Sequence, residues 1–123
     1  MNKQVLKQIN ALRPGALIRV EWYDASIGKS LSSGGTIDVP VKSWGIYIAV
    51  LGERNKHIIL AQNNFRYTDG LYDIDYTAIP LTWALTVKVI NSSEVSVEEA
   101  KTLLNSFLQG RCRALKRRVK NHE

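Results

Sequence analysis

The chain has 123 residues and a formal net charge of +6, with 45% hydrophobic and 23% charged residues. This composition is typical of an ordinary globular domain with a real core, and it excludes a disordered chain. No run of about 18 apolar residues could span a bilayer, and residues 1–10 lack the apolar stretch of a signal peptide. We therefore expect a cytoplasmic protein with no membrane span. Cys112 is the single cysteine, which excludes an intrachain disulfide and a cysteine-based metal cluster.

The positive charge is concentrated at the end of the chain. Residues 1–110 hold eleven Lys/Arg against ten Asp/Glu, a net of +1, whereas residues 111–123 hold six against one, a net of +5. The six cations are Arg111, Arg113, Lys116, Arg117, Arg118 and Lys120. A cationic block on a near-neutral body is typical of contact with a polyanion, most often nucleic acid or an anionic membrane surface. The membrane alternative is weaker, because the segment lacks the aromatic residues that anchor interfacial helices.

The first predicted element is a short amphipathic helix over residues 3–12, with Val5, Leu6, Ile9 and Leu12 at helical spacing. Pro14-Gly15 ends it. Five strands are then predicted over 16–24, 41–51, 57–63, 71–77 and 83–90. A long Ser/Gly-rich loop over 25–38 separates the first two strands, and a hairpin turn over 52–56 separates the next two. A short break at Ile79-Pro80-Leu81-Thr82 precedes the last strand.

Alternation along the predicted strands assigns side chains to faces. In the first strand Ile18, Val20 and Trp22 face the core. In the second, Trp44, Ile46, Ile48 and Val50 are assigned to one face, and Lys42, Tyr47 and Ala49 to the other. In the last, Trp83, Leu85, Val87 and Val89 face inward, while Thr86 and Lys88 face outward. Among the aromatic residues, the expected core members are Trp22, Trp44, Tyr76 and Trp83, and the expected surface members are Tyr23, Tyr47, Phe65 and Tyr67.

Strands that follow one another without intervening helices indicate an antiparallel sheet, and closure into a barrel would remove its edges. Several features in order carry a resemblance: Arg13-Pro14-Gly15 leads into a strand, a long first loop follows, a tight turn joins two central strands, and Ile79-Pro80-Leu81-Thr82 precedes the final strand. Over roughly residues 13–91 this order resembles the SH3-like small barrels, including the Sm-like and KOW-type members. The resemblance implies a single 3₁₀ turn before the last strand.

The fold prediction is therefore mainly β with flanking helices: a five-stranded antiparallel SH3-like barrel with an N-terminal and a C-terminal helix. An OB-like barrel and an open sheet covered by the helices remain alternatives.

The C-terminal helix is predicted to begin at Ser96, which forms a capping box with Glu99. Its apolar stripe comprises Val97, Ala100, Leu103, Leu104, Phe107 and Leu108. Gly110 interrupts the run, and an unbroken helix would place Arg111 and Arg118 in the middle of the stripe, where burial of unpaired charges is costly. We therefore expect one packed domain over 1–110 and a basic tail over 111–123 that is frayed or projects into solvent.

No catalytic or metal-binding constellation is present. His57 and His122 lack partners at metal-ligand or triad spacing. Asp73 and Asp75 share a strand face, and an outer solvated face explains them better than paired catalysis. The sequence predicts a protein that is not an enzyme and needs no cofactor.

The leading functional hypothesis is nucleic-acid binding, with phosphate contacts from the basic tail. A surface around Lys42, Tyr47, Arg66 and Tyr67 is expected to engage bases or a groove, since stacking rings beside cations suit splayed bases. In the alternative, structural interpretation, the aromatic rings near Phe65 only cover the open end of the barrel. The rival hypothesis is a protein-interaction or self-assembling module in which the charges only maintain solubility.

Overall fold

A computed structural model describes residues 2–24, 39–68 and 72–122, with side chains for 2–24, 39–68 and 73–109. The predicted Ser/Gly loop over 25–38 lies outside the described residues. In chain order the elements are α1 (Lys3–Asn10), β1 (Leu17–Asp24), β2 (Val39–Leu51), β3 (His57–Arg66), β4 (Tyr72–Pro80), a 3₁₀ turn η1 (Leu81–Trp83), β5 (Ala84–Asn91) and α2 (Val97–His122). The prediction of a mainly β chain with a helix at each end is confirmed.

All five strands belong to one antiparallel sheet in the order β4-β3-β2-β1-β5. Strands β1 to β4 form a meander, and β5 pairs with the free edge of β1, opposite Ile18, Arg19 and Val20. Within the described residues β4 and β5 are the two edges and do not pair with each other. The sheet is therefore open, and the predicted closure into a barrel is not confirmed.

The connection from β4 to β5 shows that the sheet is strongly curved. In a flat sheet these two edge strands would lie four strand spacings apart, about 19 Å. The connection is η1, which has 3 residues and follows Pro80 directly. A 3₁₀ turn rises about 2.0 Å per residue, so η1 covers about 8 Å between its flanking residues. The end of β4 must therefore lie near the start of β5. The 3₁₀ turn implied by the resemblance is present.

Apolar clusters lie on both faces of the sheet, although only the first one extends over all five strands. The first apolar cluster receives residues from all five strands, η1 and α1: Val5, Ile9, Ala16, Ile18, Val20, Trp22, Tyr47, Ile58, Leu60, Ile79, Leu81, Ala84 and Val87. The second cluster lies between the sheet and α2, and it contains Ile48, Ile59, Ala61, Ile74 and Leu103, with Phe107 packed against it. Burial on both faces explains the continuous apolar run Ile58 to Ala61 in β3.

A β-bulge in β2 reverses the predicted alternation. The β2–β3 register shifts between Tyr47, which pairs with Leu60, and Ala49, which pairs with Ile59. An extra residue in one strand exchanges its two faces beyond that point. Beyond the bulge Val50 therefore packs against the first cluster, whereas Ile48 belongs to the second. Tyr47 lies on the face opposite Ile48, as assigned, and it is only 8% exposed because that face carries the first cluster. The predictions that Tyr47 lies on the surface and that Val50 shares a face with Ile48 are wrong.

The aromatic residues divide differently from the prediction. Trp22 and Trp83 do pack in the first cluster, where their rings are stacked with centroids 6.2 Å apart. Trp44 is 52% exposed and Tyr76 is nearly as exposed, so the prediction of a core position is wrong for both. Tyr76 still makes an edge contact with Phe107 of α2, at a centroid distance of 4.7 Å.

Other aromatic positions agree with the prediction, since Tyr23, Phe65 and Tyr67 are exposed. In the pairing of β1 with β5, Glu21 lies opposite Thr86 and the next residue, Trp22, lies opposite Ala84. Leu85 is therefore left without a pairing partner on β1. Leu85 is exposed as a result, and so is Val89 near the end of this edge strand. The prediction that Leu85 and Val89 face inward is wrong in terms of burial.

Helix α2 begins as predicted, because the Ser96 hydroxyl accepts a hydrogen bond from the Glu99 N–H at 3.1 Å. Ala100 and Leu103 are buried, whereas Val97 and Leu108 are exposed, so the apolar stripe is narrower than predicted. The backbone stays helical to His122, so the helix does not end at Gly110. Among the described residues, neither helix is both long and apolar enough to cross a membrane.

Candidate functional site

The six C-terminal cations lie on the continuous backbone of α2, while their side chains lie outside the described ones. Positions 113, 116, 117 and 120 follow the spacing i, i+3, i+4, i+7, which shares one face of an α-helix. The basic half of α2, from residue 111 to 122, is about 18 Å long at the usual helical rise. Of the two expectations for the tail, frayed or projecting into solvent, the helical backbone excludes the first, and the helix carries four cationic positions on one face.

The second predicted surface is only partly assembled. Lys42, Arg66 and Tyr67 are exposed, as the prediction requires. Tyr47 does not accompany them, because it is buried in the first cluster, and burial raises the pKa of its hydroxyl. The described β2–β3 pairing ends at Ile46 opposite Ala61, so Lys42 and Arg66 lie on strand segments that do not pair with each other.

A cationic row that the sequence analysis missed crosses the outer face of β5, β1 and β2. Arg19 in β1 lies directly opposite Lys88 in β5 and directly opposite Trp44 in β2. Directly opposed residues of antiparallel strands point to the same face of a sheet. Alternation had already placed Lys88 on the outer face, but only the pairing of β5 with β1 brings it to Arg19.

Among the described residues, one carboxylate forms ion pairs with this row. The Glu21 carboxylate lies 3.3 Å from Arg19 Nη2 and 3.9 Å from Lys42 Nζ. Lys88 opposite Arg19 adds a like charge, an unfavourable cross-strand arrangement. The Nε atom of Arg19 is also buried without a hydrogen-bond partner. We call Arg19, Lys42, Lys88 and Trp44 the cationic face, and its excess positive charge favours an anionic partner.

A cavity of about 760 Å³ lies where α1, the β2–β3 turn and η1 meet. Its apolar wall consists of Leu6, Ile9, Val50, Leu81 and Trp83, and its polar rim consists of Asn10, Arg54, Asn55, Lys56, His57 and Thr82. The lining includes no Asp or Glu. Because three segments distant in sequence form this cavity, no local pattern in the chain could have indicated it.

The acidic pair on β4 has structural partners. The Asp75 carboxylate accepts a hydrogen bond from Asn63 Nδ2 at 3.0 Å, and Asp73 accepts one from the N–H of Ile74 at 2.8 Å. Across the described part of the chain, no group of three His, Cys, Asp or Glu side chains is placed to hold a metal ion.

No protein-family model, no curated protein and no solved structure matches the chain. The function is therefore inferred from the residues themselves.

Proposed function

We propose that this is a non-enzymatic nucleic-acid-binding protein that contacts phosphates through the basic half of α2. The observation that carries the proposal is that residues 111–123 hold +5 of the net charge of +6. Arginine guanidinium groups bind phosphate oxygens in a bidentate manner, and each neutralised phosphate releases counterions. Because the backbone there is helical, several of these cations can meet one nucleic-acid backbone together.

The cationic face supplies a second contact in this proposal. Lys42 lies two residues from the half-exposed indole of Trp44 on β2, and Arg19 on β1 lies between that ring and the exposed Lys88 on β5. An exposed aromatic ring beside cations suits the stacking of an unpaired base whose phosphates are held nearby. Arg66 and Tyr67, at the end of β3, add a further cation and ring that can engage bases or a groove.

We further propose an SH3-like arrangement of the sheet and a cytoplasmic location. The order β4-β3-β2-β1-β5, the turn η1 before the last strand, and the curvature that this short connection requires support the arrangement. Residues from both edge strands, Ile79 and Val87, belong to one apolar cluster, which is also expected of a curled sheet.

The test is fluorescence anisotropy of the full chain with labelled single- and double-stranded DNA and RNA over a range of salt concentrations. The test variant combines Arg113→Gln, Lys116→Gln, Arg117→Gln and Lys120→Gln. The control variant removes four charges elsewhere, through Lys3→Gln, Lys7→Gln, Arg13→Gln and Lys101→Gln, all at exposed positions.

We expect the test variant to reduce the slope of log K against log salt by up to about 3.6 for double-stranded DNA, since each phosphate contact contributes about 0.9. The control variant should change the slope much less. Equal changes in both variants, or no binding by the natural chain at low salt, would overturn the proposal.

A protein-interaction role is the second candidate, favoured by Leu85, Val89 and Ile90 on the edge strand β5. These three apolar side chains are between 40% and 48% exposed. Salt-insensitive self-association in sedimentation velocity, retained by the test variant and lost in Val89→Lys, would support this role instead.

A further inference from the structure

We propose that the cavity between α1, the β2–β3 turn and η1 binds a small organic phosphate with an aromatic body, the chemistry of a nucleoside monophosphate. This inference goes beyond the proposed function, since the cavity contains no residue of the basic helix or of the cationic face. The two sites can therefore be tested separately.

The charges of the rim select an anion. Arg54 and Lys56 both line the cavity and both are exposed. The described ion pairs involve Arg19, Lys42 and Glu21, so neither rim cation is neutralised by one. Glu53, the acidic neighbour of Arg54, is not among the lining residues. Two cations without a lining carboxylate suit a phosphate group, which an arginine can bind through two hydrogen bonds.

The apolar lining residues select a ligand body that is apolar and flat. Val50 and Leu81 line the cavity together with the indole of Trp83. The Trp83 ring is stacked on Trp22 with an angle of 18° between the ring planes, and this contact fixes its orientation. A volume of about 760 Å³ can hold a whole small organic ligand. Inorganic phosphate alone would leave these apolar residues in contact with water.

Backbone contacts hold the rim in place. The Lys56 carbonyl accepts a hydrogen bond from the Leu81 N–H at 2.9 Å, which joins the β2–β3 turn to η1. His57 Nδ1 lies 2.9 Å from the Asn55 carbonyl oxygen. Because a carbonyl oxygen only accepts, Nδ1 is the donor in this bond, and Nε2 is the ring nitrogen that a ligand can contact. A site with fixed walls loses less entropy when a ligand binds.

The three tryptophans of the chain make the test direct, because each indole N–H gives its own signal in an NMR spectrum of the ¹⁵N-labelled full chain. Trp83 lines the cavity, Trp44 lies on the cationic face, and Trp22 Nε1 donates to Ser43 Oγ at 3.0 Å. The ligands are adenosine monophosphate, adenosine and inorganic phosphate. The variant is Arg54→Gln with Lys56→Gln, and its control is Lys3→Gln with Lys101→Gln, which removes the same charge at exposed positions that do not line the cavity.

We expect adenosine monophosphate to shift the Trp83 signal saturably while the Trp44 signal stays in place. Adenosine and inorganic phosphate should bind at least about tenfold more weakly, and the cavity variant should weaken binding of the monophosphate at least about tenfold. The control should retain its affinity. No saturable Trp83 shift, or equal losses in the two variants, would overturn the inference, provided that the remaining signals confirm a folded chain.

Two further arms identify the source of the phosphate and separate this inference from the proposed function. The Trp83 signal also reports the affinity for an oligonucleotide with a 5′-phosphate. If this oligonucleotide binds more tightly than adenosine monophosphate and more tightly than its 5′-hydroxyl counterpart, the result would support the cavity and identify the phosphorylated end of a strand as the ligand. Equal binding by the free monophosphate would support the cavity with a mononucleotide as ligand. The four-residue variant of the basic helix must retain its affinity for adenosine monophosphate. If it loses that affinity, the cavity is not the site.

Discussion

The side-chain oxygen of Gln8 in α1 accepts a hydrogen bond from the backbone N–H of Val87 in β5 at 3.0 Å. A second side chain at the start of the same helix acts similarly, since Asn2 Nδ2 donates to the carbonyl of Leu85 at 3.1 Å. An edge strand exposes unpaired backbone groups that can recruit another strand. One side chain from α1 and one from its N-cap residue therefore cover part of the β5 edge, and the helix protects the sheet as well as its first apolar cluster.

Replacing Gln8 by methionine should destabilise the fold. The substitution keeps the length of the side chain but removes the acceptor, so the partly buried Val87 N–H is left unpaired at a cost of about 1–2 kcal/mol. Gln8→Glu retains an acceptor and serves as the control. Urea unfolding gives the free energies, and faster hydrogen exchange at Val87 should accompany the loss. Equal stability of the two variants would show that this hydrogen bond contributes nothing measurable.

Gly15 should not tolerate a side chain. Its φ of +103° is unfavourable for other residues, and a methyl group there would lie 2.5 Å from the carbonyl oxygen of Val95. Its N–H donates to the Tyr47 carbonyl, and its own carbonyl accepts from the Val95 N–H, so the backbone cannot move away freely. We expect Gly15→Ala to reduce the free energy of unfolding by about 2 kcal/mol or more. The neighbouring exposed substitution Pro14→Ala should cost less than about 1 kcal/mol.

The buried hydroxyl of Tyr47 should make stability depend on alkaline pH. Burial raises the pKa of Tyr47, because the charged phenolate loses its hydration. The contribution of this pKa difference to the free energy of unfolding is fully present below the ordinary tyrosine pKa of about 10. Above that value the unfolded chain releases the proton before the folded chain does, so stability falls as the pH rises towards the raised pKa.

The measurement is urea unfolding of the natural chain and Tyr47→Phe between about pH 8 and 11, a window around the ordinary tyrosine pKa. The phenylalanine variant should lose less stability across this window. The exposed Tyr23 supplies the control, Tyr23→Phe, which should follow the natural chain. A natural chain and a Tyr47→Phe variant with parallel stability curves would contradict the prediction.

The sequence predicted the elements well because each carries a local pattern. The alternation of Ile18, Val20 and Trp22 correctly gives the buried face of β1, and Ser96 correctly begins α2. The face of Val50 could not be predicted, since the bulge that precedes it depends on how β2 pairs with β3. Alternation within one strand cannot reveal a bulge, because the extra residue is defined only by the pairing with a second strand.

The candidate sites depend even more on distant contacts. The cationic face requires β5 to cross to the free edge of β1, which places Lys88 opposite Arg19. Trp44 has the spacing of a core residue, but it belongs to neither of the described apolar clusters. The charge of residues 111–123 could be predicted because it depends on composition alone. Surfaces formed by several strands could not, because each residue on them is locally unremarkable.

The contribution of Trp44 can be separated from that of the cations. If its indole stacks on an unpaired base, Trp44→Ala should weaken binding of single-stranded DNA or RNA by about 1–3 kcal/mol while the salt slope stays unchanged. Lys42→Gln should instead lower the single-strand slope by about 0.7, since it removes one phosphate contact. Trp44→Phe keeps an aromatic ring and should recover most of the affinity. Because Trp44 is 52% exposed, its substitutions should leave the fold intact, which thermal unfolding checks. A Trp44→Ala variant that binds single strands as tightly as the natural chain would remove base stacking on Trp44 from the proposed interface, and an unchanged slope for Lys42→Gln would remove that lysine as well.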